Sequence, residues 1–593
     1  MREAPKRRAQ MKPDCLLPRA EPDQSDRASS AGLGASLLVG VVALGLFAPT
    51  VWFDFTNWDD PQNILQNPYL NPVTAQGLAE LWKKPFNDLY VPLTYTSFAL
   101  DMVIWKGRPG GFHLTNVLLH ALSAVLVHRL LRRLLAGEVA AVLGALLFVV
   151  HPLQVEAVCW ATGRKDTLSG LFSVLALLLY AQWAQRRRPV AYVIGLLALL
   201  LALLAKPSAV AVPLMVLVIG WFCVKGSWRR VILSVLPWFL IAGAWTVVTM
   251  RAQPPGEYSF APPPVWQRFF VASDAIAFYL GKLFMPVGLV AGYERSPMNV
   301  LSSPWVYVTP LVPVALALLA LRASALLRAA GGLMLAGIIP VLGIIPFRYQ
   351  DYSTVADRYF YLSMVGVALA CGTFYHSCET FASRLCRPWL RRLACGSVLA
   401  VLSVLTLFQQ RVWQNGLMLW THNVELVSHC AVAHFNLADE LRKEDLERAA
   451  YHYGQAVHYH ENYHQARINL ANSLFELAGR DFEQGRDGPA KERLAEAIHH
   501  YDFMLERKPN KSPYYFMAGR AYDLAGDSAR AEELFLEALR YPPPLADAHA
   551  YLADLLARRR DFAGAIEHCQ EALRIDPTNA PAAQVLGAIR RPQ

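Results

Sequence analysis

The first 410 residues are interrupted again and again by apolar runs long enough to cross a bilayer, and the remainder contains none. About 20 apolar residues rise about 30 Å as a helix, the thickness of a hydrocarbon core. Such runs are read at roughly 31–51, 113–131, 138–158, 167–184, 189–205, 208–224, 231–250, 304–321, 329–346, 358–376 and 392–409, about eleven spans. Lipid offers the backbone no hydrogen-bond partner, so each run is expected as a helix. Four parts follow: a basic N-terminus, 1–30; a multi-span domain, 31–410, with a long first outer loop, 52–112; a linker, 411–432; and a soluble domain, 433–593.

Charge supports this division. Only 17% of residues are charged, against about a quarter in an average soluble protein. The net charge of +10 would suit nucleic acid, but the basic residues lie in short clusters between apolar runs, so no nucleic-acid partner is expected. The nine cysteines show neither a CxxC pair nor zinc spacing, and no metal site is expected; Cys430 and Cys569 are read as free, buried thiols. Met1 to Arg27 carries seven Lys/Arg before the apolar run 31–51. The length of that run and the absence of a small-x-small cleavage site favour a signal anchor over a cleaved signal peptide.

The loop cations orient the spans. Arg129/Arg132/Arg133, Arg186/Arg187/Arg188, Lys225/Arg229/Arg230, Arg322/Arg328 and Arg384/Arg387/Arg391/Arg392 are expected to be cytoplasmic with the N-terminus. This threading works if Phe269 to Ala291, with Asp274, Lys282 and Pro286, is an interfacial helix or re-entrant hairpin rather than a span. The loop bearing Asp59 and Asp60, His151 to Asp166, Lys206, Arg348 to Arg358 and the soluble domain then share the outer face.

Those segments hold the candidate chemistry. In Phe55-Thr56-Asn57-Trp58-Asp59-Asp60, a carboxylate at a low-dielectric boundary can take a proton from an acceptor hydroxyl; the alternative is that the pair caps a short helix. His151-Pro152-Leu153-Gln154-Val155-Glu156 is followed by Gly163-Arg164-Lys165-Asp166, where Arg164 and Lys165 could neutralise a phosphate or merely end a span. Lys206, in a three-residue turn, could contact a lipid phosphate or snorkel to head groups, and Arg358 in Asp357-Arg358-Tyr359 poses the same choice. His113, Asn116 and His120 share a helical face and read as contacts between spans rather than ligands.

From Ala433 the sequence repeats near a 34-residue period: His434-Phe435-Asn436-Leu437-Ala438, Ile468-Asn469-Leu470-Ala471, Phe516-Met517-Ala518-Gly519 and Ala550-Tyr551-Leu552-Ala553. Second helices are expected at Ala449 to Val457, Ala495 to Leu505, Ala529 to Leu539 and Ala563 to Leu573, with an insertion near Arg480 to Asp487 and turns at Lys508-Pro509-Asn510, Pro542-Pro543-Pro544 and Asp576-Pro577-Thr578. This is the pattern of about four tetratricopeptide repeats, a scaffold for binding protein segments.

The spans, the acidic loop and the repeats together resemble the transmembrane-and-TPR O-mannosyltransferase (TMTC) family and its bacterial relatives, of the GT-C glycosyltransferases. The resemblance rests on Trp58-Asp59-Asp60, Pro92-Leu93-Thr94, Phe112-His113-Leu114-Thr115-Asn116, His151-Pro152 through Glu156-Ala157-Val158, Gly163-Arg164-Lys165-Asp166, Lys206-Pro207 and Asp357-Arg358-Tyr359. Where relatives often carry Arg and Asp, this chain has Val91 and Gly220.

The resemblance implies an all-α fold, a polytopic GT-C-type membrane domain followed by a TPR solenoid. It implies an inverting glycosyltransferase that moves a sugar, mannose by preference, from a polyprenyl-phosphate donor to a hydroxyl of a protein or glycan acceptor recruited by the repeats, at the outer face of a bacterial inner membrane or of the endoplasmic reticulum. Asp59 or Asp60 would be the base. Arg164, Lys165, Lys206 and Arg358 would bind the donor phosphate, with His151, Glu156, Asp166 and His113 in support and no cofactor beyond the donor itself. The competing reading is a non-enzymatic membrane scaffold whose repeats bind a partner.

Overall fold

Proline starts many of the helices, at a first-turn position where its missing N–H is not needed; Pro92, Pro109, Pro189 and Pro388 do so. The computed structural model describes residues 25–224, 227–252, 262–381, 387–508 and 510–590. The expected basic segment before residue 25, Lys225, the start of the loop after residue 252, Arg384 and Pro509 lie outside the described residues. Among the described residues the chain is helical, with two isolated bridges, Leu70–Val73 and Phe86–Leu89, and no strand. It divides into two compact units, Met1–Ser428 and His429–Gln593.

In the first unit α1 (Ser25–Phe47) leads into a loop holding α2 (Ala75–Lys83), and α3 (Pro92–Trp105) precedes α4 (Pro109–Leu134). The helices α5 (Glu138–Val150), α6 (Val155–Cys159), α7 (Arg164–Arg186), α8 (Pro189–Ala205), α9 (Val212–Cys223) and α10 (Trp228–Ala252) follow. Next come α11 (Val265–Phe284), α12 (Pro297–Ser302), α13 (Leu311–Arg322), α14 (Ala325–Ile338), α15 (Met364–Phe381), α16 (Pro388–Val412) and α17 (Gly416–Leu426). The core is built where α7 packs on α8 and α4, and α5 and α14 pack on α15. By contrast α13 has no buried residue although it is almost wholly apolar. Such a surface is stable in hydrocarbon and not in water.

Among the described residues, six single helices are by length and composition long and apolar enough to cross a membrane: Gly32–Trp52, Pro109–Leu134, Ala161–Arg186, Trp228–Ala252, Pro304–Arg322 and Pro388–Val412. The run expected at 138–158 is a bent pair, Glu138–Val150 and Pro152–Cys159 at 56°, which adds a seventh if it is one span. The bend falls at His151-Pro152, where proline breaks the helical ladder. Pro189–Ala205, Pro207–Cys223 and Ala325–Val341 are shorter apolar helices, and the run expected from 358 opens with a 3-10 turn, Asp357–Phe360, before α15.

The stretch expected as a linker, 411–432, is largely structured. The side chain of Asn415 caps α17 by accepting from the Met418 amide at 2.9 Å. Within α17, Trp420 is fully buried, and Asn423 exchanges hydrogen bonds with the backbone of Gly292 at 2.8 and 3.1 Å.

The second unit is four helical hairpins and a closing helix: α18 (Ala431–Leu441) with α19 (Leu446–Tyr459), α20 (His464–Glu483) with α21 (Asp487–Arg507), α22 (Ser512–Leu524) with α23 (Ser528–Arg540), α24 (Ala546–Arg558) with α25 (Phe562–Ile575), then α26 (Ala580–Arg590). The insertion in the second repeat is absorbed by longer helices. Alanines meet at the tight crossings: Ala438, Ala449, Ala471, Ala497, Ala518, Ala531, Ala553 and Ala565 are all fully buried. Asp445, Asp527 and Asp561 each cap a second helix, accepting a backbone N–H at 3.0 Å.

Candidate active site

The loop after α1 is held by one carboxylate. Asp60 is fully buried. Its Oδ2 accepts from the Thr56 amide at 2.9 Å and hydroxyl at 3.0 Å; its Oδ1 accepts from the Thr162 amide at 2.9 Å and hydroxyl at 2.5 Å. Burial lifts its pKa to about 6, against the pull of these four donors. With both oxygens engaged, Asp60 is a clamp between the first loop and the turn before α7.

Its neighbour Asp59 faces outward. Its side chain is 36% exposed, and Oδ2 accepts from Lys165 Nζ at 3.3 Å. The adjacent Trp58 stacks on Trp160, with ring centroids 4.8 Å apart, and meets Trp420 edge-on. Lys165 Nζ lies 5.4 Å from the centre of the Trp160 ring. One acidic oxygen, one cation and a stacked indole pair thus meet at this spot.

Two further cations continue the cluster. The Arg358 guanidinium lies over Trp58 (5.1 Å), Trp160 (5.4 Å), Tyr349 (4.6 Å) and Tyr359 (4.9 Å). It is ion-paired with the buried Glu156, whose Oε2 also accepts from the Arg358 amide at 2.8 Å. Lys206 Nζ lies 5.2 Å from the centre of the Tyr359 ring and is ion-paired with Asp166. Trp160 therefore borders both Lys165 and Arg358, and Tyr359 borders both Arg358 and Lys206. Such aromatic faces hold cations while leaving their outer sides for an anion.

Arg164 is placed otherwise. It is fully buried, and its Nε donates to Asn116 Oδ1 (2.5 Å), Nη1 to Ser97 Oγ (3.1 Å), and Nη2 to Asp101 Oδ2 (2.7 Å) and the Phe112 carbonyl (2.8 Å). The expected role as a donor-phosphate contact does not fit this placement, because the guanidinium is spent on α3 and α4. His151 Nε2 donates to the Leu283 carbonyl at 3.0 Å while Nδ1 accepts from the Leu153 amide, so it caps the turn at the bend. His113 is buried with Nε2 3.3 Å from the Asp54 carbonyl. Asn116 donates to the Trp160 carbonyl at 2.7 Å and His120 Nδ1 meets the Tyr361 hydroxyl at 3.0 Å, so this face of α4 meets the turn between α6 and α7 and the turn before α15.

Several residues of the cluster went unread in the sequence. Thr162 and Trp160 belong to no charged motif, and Tyr349 is one aromatic among many. Asp101 had a cue: a lone carboxylate in an otherwise apolar helix requires a partner. The two departures from the family pattern are also placed. Val91 is 2% exposed in the apolar core of the first loop, beside Tyr95 and Phe98. A side chain at Gly220 would meet the Tyr180 hydroxyl at 2.7 Å and Val231 at 2.9 Å.

Known sequences match both units. The profile of the dolichyl-phosphate-mannose-protein mannosyltransferase family matches residues 99–250, and a tetratricopeptide repeat profile matches 516–580. The protein O-mannosyl-transferase TMTC4 of Homo sapiens is 34% identical over 172 residues, covering 25% of this chain and 23% of the relative. TMTC3 of Homo sapiens is 31% identical over 155 residues, covering 25% and 17%. Tmtc1 of Drosophila melanogaster is 32% identical over 196 residues, covering 30% and 22%. The matched region thus spans less than a quarter of each relative. Among solved structures, a thermophilic TPR protein of Thermus thermophilus is 18% identical with a TM-score of 0.25, covering 32% of this chain and 94% of that one; so slight a likeness carries no argument. The chain is a multi-pass helical membrane protein ending in tetratricopeptide repeats, and its sequence relatives are the TMTC protein O-mannosyl-transferases.

Proposed function

We propose that this protein is an inverting, GT-C-type glycosyltransferase that moves mannose from a polyprenyl-phosphate donor to a hydroxyl of a protein acceptor. The supporting observation is the half-exposed carboxylate of Asp59 beside a chain of three cations, Lys165, Arg358 and Lys206, joined through shared aromatic rings.

In this reading the Asp59 oxygen turned away from Lys165 takes the proton of the acceptor hydroxyl. The acceptor oxygen attacks the anomeric carbon as the bond from that carbon to the phosphate oxygen breaks, and the electron pair leaves on the phosphate. A single displacement inverts the anomeric configuration. Lys165, Arg358 and Lys206 meet the charge developing on the leaving phosphate, and their existing pairing with Asp59, Glu156 and Asp166 keeps them in place beforehand. Asp60 holds the loop against Thr162 and so fixes Asp59. In this reading the site and the repeats face the extracytoplasmic side, as the positive-inside trend of the loop cations favours, and the repeats present the acceptor.

The test is transfer from polyprenyl-phosphate mannose by purified full-length protein. Asp59→Asn should lower the rate by about 100-fold or more while donor binding survives. Full activity in that variant would remove Asp59 as base, and no transfer by the wild-type protein to any hydroxyl acceptor would favour the scaffold.

A further inference from the structure

In the repeat unit, the guanidinium of Arg520 on α22 is held by aromatic rings. It lies 5.0 Å from the centre of the Phe475 ring of α20, 5.8 Å from Phe516 of α22 and 5.0 Å from Tyr551 of α24. Phe516 and Tyr551 also meet edge-on, with centroids 5.5 Å apart. The three helices are the first members of three consecutive hairpins. In a solenoid of stacked repeats, equivalent helices line one continuous surface on which a partner segment can lie. Arg520 stands in the middle of the three.

Its charge has no counterpart. Other arginines of the repeats are ion-paired: Arg480 with Glu476, Arg493 with Asp481 and Glu447, and Arg559 with Glu532. Among the described residues Arg520 has no carboxylate partner, and its hydrogen bond runs from Nη1 to the Met517 sulfur at 4.0 Å. The nearby acids are taken. Asp523, one turn along α22, accepts from Arg558 at 2.6 Å; Asp502 accepts from the Tyr522 hydroxyl at 2.8 Å; Glu476 accepts from Arg480 at 2.7 Å. Arg520 is also half-buried. A cation partly withdrawn from water without an opposite charge leaves its attraction for an anion unspent.

The chemistry of that anion follows from a single braced arginine. Rings stabilise the charge of a guanidinium but do not match its fork of N–H groups, which fits a carboxylate through two parallel hydrogen bonds. A cationic segment would be repelled, and a neutral one would leave the fork unmatched. A phosphate monoester carries nearly two charges and calls for a second cation, but the neighbouring Arg558 is spent on Asp523 and Asp554. One carboxylate matches one free guanidinium. Arginine and large aromatic residues are also the residue types enriched where binding energy concentrates in protein interfaces.

We propose that the surface shared by α20, α22 and α24 docks a segment of the protein acceptor through an Asp or Glu side chain paired with Arg520, while Phe475, Phe516 and Tyr551 pack against the flanking residues. This rests on the recruiting role proposed above for the repeats. It names the acceptor as a segment that carries an acidic residue beside its hydroxyl residues.

The probe is a positional library of Ser- and Thr-containing dodecapeptides, amidated at the C-terminus so that side chains alone supply carboxylates, bound to the full-length, detergent-solubilised protein. Wild type should enrich Asp or Glu at one position, and Gln at that position should weaken the best binder about tenfold or more. Arg520→Gln should bind the acidic and Gln peptides alike. Arg520→Glu should reverse the preference toward Lys or Arg at the same position, which a purely structural arginine would not do. Arg520→Lys keeps the charge and loses the fork, so it should retain a weaker acidic preference, and it carries the test if Arg520→Glu does not fold. An acidic preference equal in wild type and Arg520→Gln would overturn the pairing and leave Arg520 as packing between repeats. So would tight wild-type binders without any acidic enrichment, and in both cases recruitment by the repeats stands. A wild-type protein that binds no peptide of the library would overturn the pairing and the recruiting role together.

Discussion

Asp60 and Thr162, 102 residues apart, are joined through a single carboxylate oxygen that accepts both the amide and the hydroxyl of Thr162. The first loop is thereby fastened to the start of α7, and Asp59 and Lys165 are brought within 3.3 Å from opposite sides of that fastening. Two consecutive carboxylates thus divide the work. One is buried and holds the geometry, and the other is exposed, as the base of the proposed reaction must be.

Asp60 gives this fastening a pH signature. Its pKa stands near 6, above the ordinary 3.8, because of burial. A raised folded-state value means the folded protein binds more protons between these limits. The stability contributed by Asp60 is therefore fully present below about pH 4 and lost as pH rises through about 6, by at most about 3 kcal/mol. Asp60→Asn removes the titration. The thermal midpoint of wild type minus that of the variant should grow as pH falls across this window, and a flat difference would contradict the assignment.

Adjacent residues Arg164 and Lys165 should behave as opposites. Arg164→Met leaves Asp101 as a buried, unpaired charge, a loss of about 3–5 kcal/mol, so the variant should unfold early or be recovered poorly. Lys165→Met lies at the edge of the site, 12% exposed, and should fold normally. Its Michaelis constant for the polyprenyl-phosphate donor should rise about tenfold, the worth of one charged hydrogen bond. Calorimetry and donor kinetics on the two variants decide this. A folded Arg164→Met with raised donor constant would restore Arg164 to the phosphate.

What could be read in the sequence was what depends on local pattern. The tetratricopeptide units showed because each repeats its small residues at the helix crossings, and the apolar runs showed because lipid tolerates little else. What the sequence left open depends on long-range pairing. The motif left Arg164 free to neutralise a phosphate or to end a span, and only the approach of Asp101 and Asn116, on α3 and α4, shows it paired and buried. Asp59 and Asp60 were indistinguishable as neighbours in a motif, since only Thr162 decides which is buried. The bend at His151 split an apolar run that composition alone counted as one straight span.

The resemblance leads one to expect Asp at position 220, and the packing around Gly220 leaves no room for it. A Cβ there would press on the Tyr180 hydroxyl, which is hydrogen-bonded to Ser234 at 3.0 Å and has little freedom to retreat. Gly220→Ala should be destabilised by about 1–3 kcal/mol through overpacking, and Gly220→Asp by more, because it adds a buried charge. Tyr180→Phe should partly rescue Gly220→Ala by removing the obstructing oxygen. Thermal unfolding of the three proteins in one detergent measures this, and absence of rescue would locate the strain at Val231 instead.

The two units should separate by function when the second is removed. The repeats form a compact unit from His429, with its own alanine-packed crossings and aspartate-capped helices, and every residue of the cation cluster lies in the first unit. Tethering an acceptor-binding surface to a catalytic domain raises the local acceptor concentration to about the millimolar range when the reach is right. Deletion of residues 429–593 should therefore raise the apparent Michaelis constant for a protein acceptor by about tenfold or more. Slow hydrolysis of the donor by water should be unchanged, since water needs no recruitment. Asp59→Asn in the full-length protein should do the reverse, retaining acceptor binding and losing both transfer and hydrolysis. Equal acceptor kinetics with and without the repeats would refute recruitment, and loss of hydrolysis on deletion would show that the membrane unit depends on the repeats for its own structure.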